Sequence, residues 1–238
     1  RQDLVLPAVE RAGIRAFLAE AVMGGRAIGL RGTPDQQMRR AEELARTHNG
    51  RADGRITTGV APHSVYGCGE GLLREVAQLA RDTGCRVHTH VSETRREVDE
   101  CVATYGRRPP RVMADCGLFD GPTLAAHAVH LDEGDIALMA ERDVAVSHNP
   151  ASNLKLRSGV APVPALRRAG VRVGLGTDGA GSNDSLDLWR DCFLAAVLHE
   201  WGDGTSPAST ALELATAGGA AALHLEDQIG AVAPGMKA

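Results

Sequence analysis

Residues 85–93 read Cys85-Arg86-Val87-His88-Thr89-His90-Val91-Ser92-Glu93. The apolar and polar residues alternate as on a strand, so His88 and His90 point to one face. Glu93 follows three residues later, where the chain leaves the strand. A metal-bound water needs a neutral imidazole ligand and a nearby carboxylate able to carry its proton. This segment supplies both at one strand end.

Three later segments repeat the pattern of a polar group at the C-terminal end of an apolar stretch. Ala125-Ala126-His127-Ala128-Val129-His130 places His127 among small neighbours that leave room for a ligand. Ser147-His148-Asn149-Pro150-Ala151-Ser152-Asn153 ends its strand at Pro150, and a polar loop is expected to follow. Gly174-Leu175-Gly176-Thr177-Asp178-Gly179 brings Asp178 to a strand end flanked by glycines that let a ligand approach the backbone. A lone Asp there would more often cap a helix; beside the histidines the ligand role is favoured. His63, in Ala61-Pro62-His63-Ser64, is open between core packing and binding. His130 reads as a solvated or capping residue and His88 as packing. His48, His199 and His224 fall on helices or at their ends and read as structural.

Between these points the chain alternates strand-like and helix-like stretches. Strands are expected at 14–20, 55–63, 85–91, 123–129, 144–148 and 171–177. Helices are expected at 3–12, 34–47, 70–82, 94–105, 132–142, 164–169, 185–199 and 207–223. Such alternation implies an α/β fold with a parallel sheet. Functional groups from several strands at one rim point to a (β/α)₈ barrel, and no glycine-rich fingerprint opens a helix as a dinucleotide fold requires. Six strands cannot close an eight-stranded barrel.

The 238 residues are 43 % hydrophobic and 24 % charged, with a net charge of −4 and scattered basic residues. That balance argues against nucleic acid. No apolar run approaches a membrane span and no signal-like N-terminus is seen, so neither membrane insertion nor secretion is expected. Five cysteines without a CxxC pair suit reduced thiols in a cytoplasmic protein.

Taken together, APHSVYGC, VHTHVSET, AAHAVHLDEGDI, SHNPASNLKLRSGVAPVPAL and GLGTDGAGSNDSLDL resemble the amidohydrolase superfamily. The nearest likeness is its methylthioadenosine/S-adenosylhomocysteine deaminase and chlorohydrolase-like branch. The resemblance implies a TIM-type barrel and a Zn²⁺ cofactor, with Fe²⁺ as the alternative. It implies that His90 and Asp178 ligate the metal, and that Glu93, His127 and Asp178 are catalytic. It implies that His63 contacts a nucleoside sugar, while His148 and Asn153 shape the substrate pocket. In the family a further His-x-His pair on the first strand also ligates the metal, and none precedes residue 88 here. The expectation is therefore a single partial barrel domain over residues 1–238, strands three to eight plus a C-terminal helix. The first two strands and a small β domain would be absent, and the chain alone would bind metal weakly.

The implied reaction is hydrolytic release of ammonia from an adenosine-type nucleoside. The alternatives are a chlorohydrolase or other aminohydrolase of a nitrogen heterocycle and, outside the enzymes, an inactive nucleoside-binding barrel fragment. Glu93 favours deamination, which needs an acid to protonate a ring nitrogen. Arg26 or Arg31 is a candidate partner for a substrate carboxylate. The expected partner is a small molecule, with homo-oligomerisation an open alternative to a monomer.

Overall fold

The computed structural model describes residues 2–25, 32–202 and 205–237. Arg26 and Arg31 lie outside the described residues. In chain order the elements are α1 (Leu6–Ala12), β1 (Ala16–Val22), α2 (Pro34–His48), β2 (Ile56–Pro62), α3 (Val65–Thr83), β3 (Arg86–Val91), α4 (Arg95–Tyr105), α5 (Pro109–Asp115), β4 (Thr123–His127), α6 (Glu133–Glu141), β5 (Ala145–His148), α7 (Pro150–Lys155), α8 (Val163–Arg168), β6 (Val173–Leu175), α9 (Ala180–Asn183), α10 (Leu188–Leu198), α11 (Pro207–Ala215) and α12 (Ala217–Ala222). The six strands form one sheet in sequence order, and the recorded pairings are parallel. The α/β class expected from the alternation is therefore observed. Among the described residues, no helix is long and apolar enough to cross a membrane.

The chain divides into two compact units, Arg1–Thr89 with Arg111–Thr123, and His90–Pro110 with Leu124–Ala238. In the first, β1 and β2 pair over seven residues, from Ala16 opposite Ile56 to Val22 opposite Pro62. Leu6, Val9, Leu18 and Ile56 form a buried cluster beneath them. Gly59 has no room for a side chain, because a Cβ there would meet Phe17 Cε2 at 2.6 Å. The helix expected from residue 70 begins earlier, at Val65, and is kinked at Gly69 (φ 69°), a conformation only glycine adopts cheaply.

In the second unit β4 and β5 pair from Leu124–Ala145 to Ala126–Ser147, and β5 and β6 from Val146–Val173 to His148–Leu175. Neighbours in a parallel ladder face the same way, so His127 and His148 share one face of the sheet. The polar loop expected after Pro150 is instead the helix α7, with Pro150 in its first turn. Proline suits that position because its φ is already helical and its missing N–H would have been unpaired. The last helix, expected unbroken over 207–223, is broken at Thr216 (φ −124°, ψ −94°) into α11 and α12. Asp132 caps α6 as expected, through a reciprocal capping box with Asp135.

Candidate active site and metal centre

His90, Glu93, His127, His148, Asn153 and Asp178 all belong to the second unit. The His90 and His127 rings are stacked, with centroids 5.2 Å apart and planes 17° from parallel. The backbone at His127 (φ 72°) and Ala128 (φ 51°) is left-handed at two successive non-glycine residues. Hydrogen bonds hold this turn: Ala128 N–H donates to Val91 O at 3.0 Å and His130 N–H to Ser92 O at 2.9 Å. Asp178 (φ 60°) and Ser92 (φ 49°) are likewise left-handed. Strained positions of this kind persist where the surroundings over-determine them, often at functional sites.

His127 is buried between two partners. Nδ1 lies 2.9 Å from Asn153 Oδ1, and Nε2 lies 3.8 Å from Glu93 Oε2. With the amide oxygen as acceptor, Nδ1 carries the ring proton and Nε2 presents a lone pair. A neutral His127 therefore accepts a proton at Nε2 before it can donate one from there. The imidazolium so formed would face the Glu93 carboxylate.

Glu93 is positioned from two sides. Ser158 Oγ donates to its Oε1 at 3.2 Å, and its own N–H donates to Glu97 Oε2 at 2.7 Å. Glu97 is buried, and burial pushes its carboxyl up to about 7, with the neighbouring Glu93 charge adding to the rise and backbone hydrogen bonds opposing it. His130, expected as a solvated or capping residue, instead has Nε2 2.7 Å from Ser158 O. It buttresses the residue that holds Glu93.

Asp178 accepts three hydrogen bonds: from Ser152 Oγ at 2.5 Å, Ser182 Oγ at 2.7 Å and Gly179 N–H at 2.7 Å. Burial pushes its carboxyl up, but these donors outweigh it, His127 adds to them, and the net shift is downward. Asp178 is thus held ionised. His148 and Asn153 are fully buried. His148 Nε2 lies 3.1 Å from His199 Nε2, and burial, reinforced by His199 and His127, pushes His148 down to about 3. His199, expected as merely structural, is thereby part of this layer.

His63 lies in the first unit, just beyond β2, where Nδ1 is 2.9 Å from Ser64 Oγ and the ring meets Tyr66 edge-on. His88 packs obliquely near Phe17, with ring centroids 6.3 Å apart. His48 Nδ1 and His224 Nδ1 face Arg51 and Arg172 at 3.0 and 2.7 Å.

Imidazole nitrogen and an ionised carboxylate are the donors a borderline divalent cation takes. Among the described residues, no group of three His, Cys, Asp or Glu side chains is arranged to hold a metal ion. The donors present fit part of a zinc site, which normally uses three or four protein groups.

The pattern of the Amidohydrolase family matches residues 3–238. A 5-methylthioadenosine/S-adenosylhomocysteine deaminase of Pelotomaculum thermopropionicum is 45 % identical over 99 % of this chain and 54 % of its own length. The enzyme of that name from Moorella thermoacetica is 44 % identical over 99 % of this chain and 55 % of its own. Among solved structures, an adenosine deaminase from Xanthomonas campestris with bound zinc superposes with a TM-score of 0.89 at 36 % identity, covering 99 % of this chain and 54 % of that one. Atrazine chlorohydrolase from Arthrobacter aurescens, complexed with zinc, superposes at 0.86 with 30 % identity over 98 % and 54 %. The chain spans about half the length of the curated relatives it matches. With its parallel strands and a family match reaching nearly end to end, the chain belongs to the amidohydrolase family.

Proposed function

We propose that this chain is the part of a zinc-dependent hydrolytic deaminase that carries the acid–base residues, acting on an adenosine-type nucleoside such as methylthioadenosine, S-adenosylhomocysteine or adenosine. The observation that carries the reading is the placement of Glu93 Oε2 3.8 Å from Nε2 of His127, whose ring is stacked on His90. A carboxyl group able to gain and lose a proton thus stands beside an imidazole with the same capacity. The relatives named as deaminases, at 44–45 % identity, support deamination over dechlorination.

His90 and Asp178, with further donors from the rest of a longer protein, would hold Zn²⁺, which supplies a Lewis acid that makes water a hydroxide-like nucleophile near neutral pH. Asp178, kept ionised by Ser152, Ser182 and Gly179, accepts the proton of the attacking water. Glu93 protonates the ring nitrogen beside the carbon under attack, takes up the remaining hydroxyl proton as the carbonyl forms and delivers it to the departing ammonia, and the proton held by Asp178 then restores Glu93. His127, with a proton on Nε2, would donate a hydrogen bond to the developing oxyanion. Asn153 and His148 are buried, so we assign them to holding His127 and the sheet face rather than to touching substrate. His63 at the end of β2 stays a candidate for the nucleoside sugar. We place the protein in the cytoplasm, acting on a small molecule; sedimentation velocity tests the homo-oligomer alternative.

The test is a substrate screen with added Zn²⁺, scoring ammonia from the three nucleosides and chloride from a chlorotriazine. The expected result is ammonia release that a chelator and Glu93→Gln both abolish, at a low rate for this chain alone. Chloride without ammonia would establish the chlorohydrolase. Nucleoside binding indifferent to chelator and to Glu93→Gln would establish a binding fragment.

A further inference from the structure

Asp191, in the first turn of α10, is fully buried. Its recorded partners are both neutral N–H donors. Oδ1 accepts from the Ala151 backbone N–H at 3.0 Å, and Oδ2 from Asn183 Nδ2 at 2.9 Å. A carboxylate held in the interior by neutral donors is costly, and such a group is kept where it fixes an arrangement.

The arrangement is a closed ring. From Asp191 one arm runs to Ala151 on α7 and to the next residue, Ser152, whose Oγ donates to Asp178 Oδ2. The other arm runs to Asn183, whose Nδ2 also donates to Thr177 O at 2.8 Å, and Thr177 precedes Asp178. Both arms meet at Asp178. The first arm has a branch: Asn153, beside Ser152 on α7, holds His127 Nδ1. Ser152, Asn153 and Asn183 are all fully buried, which shields their ends of these bonds from water.

We propose that Asp191 is a positioning residue that locks α7 to the turn after β6, and so fixes the Asp178 carboxylate and the His127 ring in one mutual orientation. The functional weight of Asp178 and His127 rests on the deaminase reading above; the hydrogen-bond ring does not. The residue gives no signal in sequence, because a lone Asp in a helix reads as solvated. Only the chain path brings it under both loops.

The ¹⁵N-labelled, metal-free 238-residue chain tests the proposal. In Asp191→Asn an amide nitrogen must oppose one of two N–H donors, which breaks one arm. Exchange of the Gly179 amide, which is bonded to Asp178 Oδ1, should quicken about tenfold. The His127 imidazole ¹⁵N shifts should move from the Nδ1–H tautomer toward a tautomer mixture. If Ala151 alone loses protection while Gly179 and His127 stay unchanged, Asp191 is only a helix cap and the proposal falls. Should Asp191→Asn not fold, Asn183→Ala breaks the second arm alone. Faster Gly179 exchange with Ala151 still protected then supports the ring, and unchanged Gly179 exchange overturns it. A Co²⁺ absorption titration of the wild type runs in parallel. Uptake that His90→Ala leaves unchanged would count against the metal-dependent function and leave the role of Asp191 to be decided by the exchange rates alone.

Discussion

The imidazoles of His90 and His127 lie one over the other, 5.2 Å between centroids, at the ends of two successive strands. If His90 is a metal ligand, His90→Ala should weaken Co²⁺ binding by more than the roughly 10–100-fold typical of changes to groups behind the ligands. A titration followed by absorbance checks this. An unchanged affinity removes His90 from the donor set.

Glu93 is partly exposed, so its loss should spare the fold. Glu93→Gln should lower ammonia release by about 10²–10⁴-fold, the usual size of a general acid–base contribution. Co²⁺ affinity should be unchanged, since the metal reading gives Glu93 no ligand role. Parallel loss of metal and activity would give Glu93 the wrong role here.

Asn153 is fully buried against His127 Nδ1. Asn153→Ala leaves that nitrogen without its partner, at a cost of about 1–3 kcal/mol. Urea unfolding should show the drop as a lower midpoint at constant slope.

Glu97 makes stability depend on pH. Its carboxyl titrates near 4.5 when unfolded and at about 7 in the fold. Between these values the unfolded chain has released its proton while the folded chain still holds one. Stability from this group is thus complete below about pH 4.5 and falls as pH rises through 7. The total is on the order of 3 kcal/mol. Glu97→Gln keeps an acceptor for the Glu93 N–H and should flatten this decline. Urea midpoints at pH 5 and pH 8 for both forms decide the matter.

Gly174 on β6 faces Gly219 on α12 so closely that a Cβ at Gly174 would lie 2.8 Å from the Gly219 Cα. Gly174→Ala should destabilise by about 1–3 kcal/mol through overpacking. Gly219→Ala meets only Leu214 O, at 3.7 Å, and should be tolerated. Thermal melts of the two variants should separate them.

Much of this was legible in the residue pattern. Period-two alternation marked β3, and Pro34, Asp132 and Gly170 marked helix ends, because such signals are local. What stayed hidden is long-range. α7 looked like a loop since Asn149, Ser152 and Asn153 favour turns in isolation; the fold overrides them by supplying Asp191 to hold Ala151 N–H. His199 looked like one more helix-end histidine until the fold set it against His148. The left-handed backbone at His127 and Ala128 cannot be foreseen either, as both residues avoid it unless their surroundings compel it.

The order of strands across the sheet is also the order in which the ribosome makes them. From β2 to β6, each newly emerged strand finds its neighbour already built. Assembly can therefore keep pace with translation, one strand and its following helix at a time.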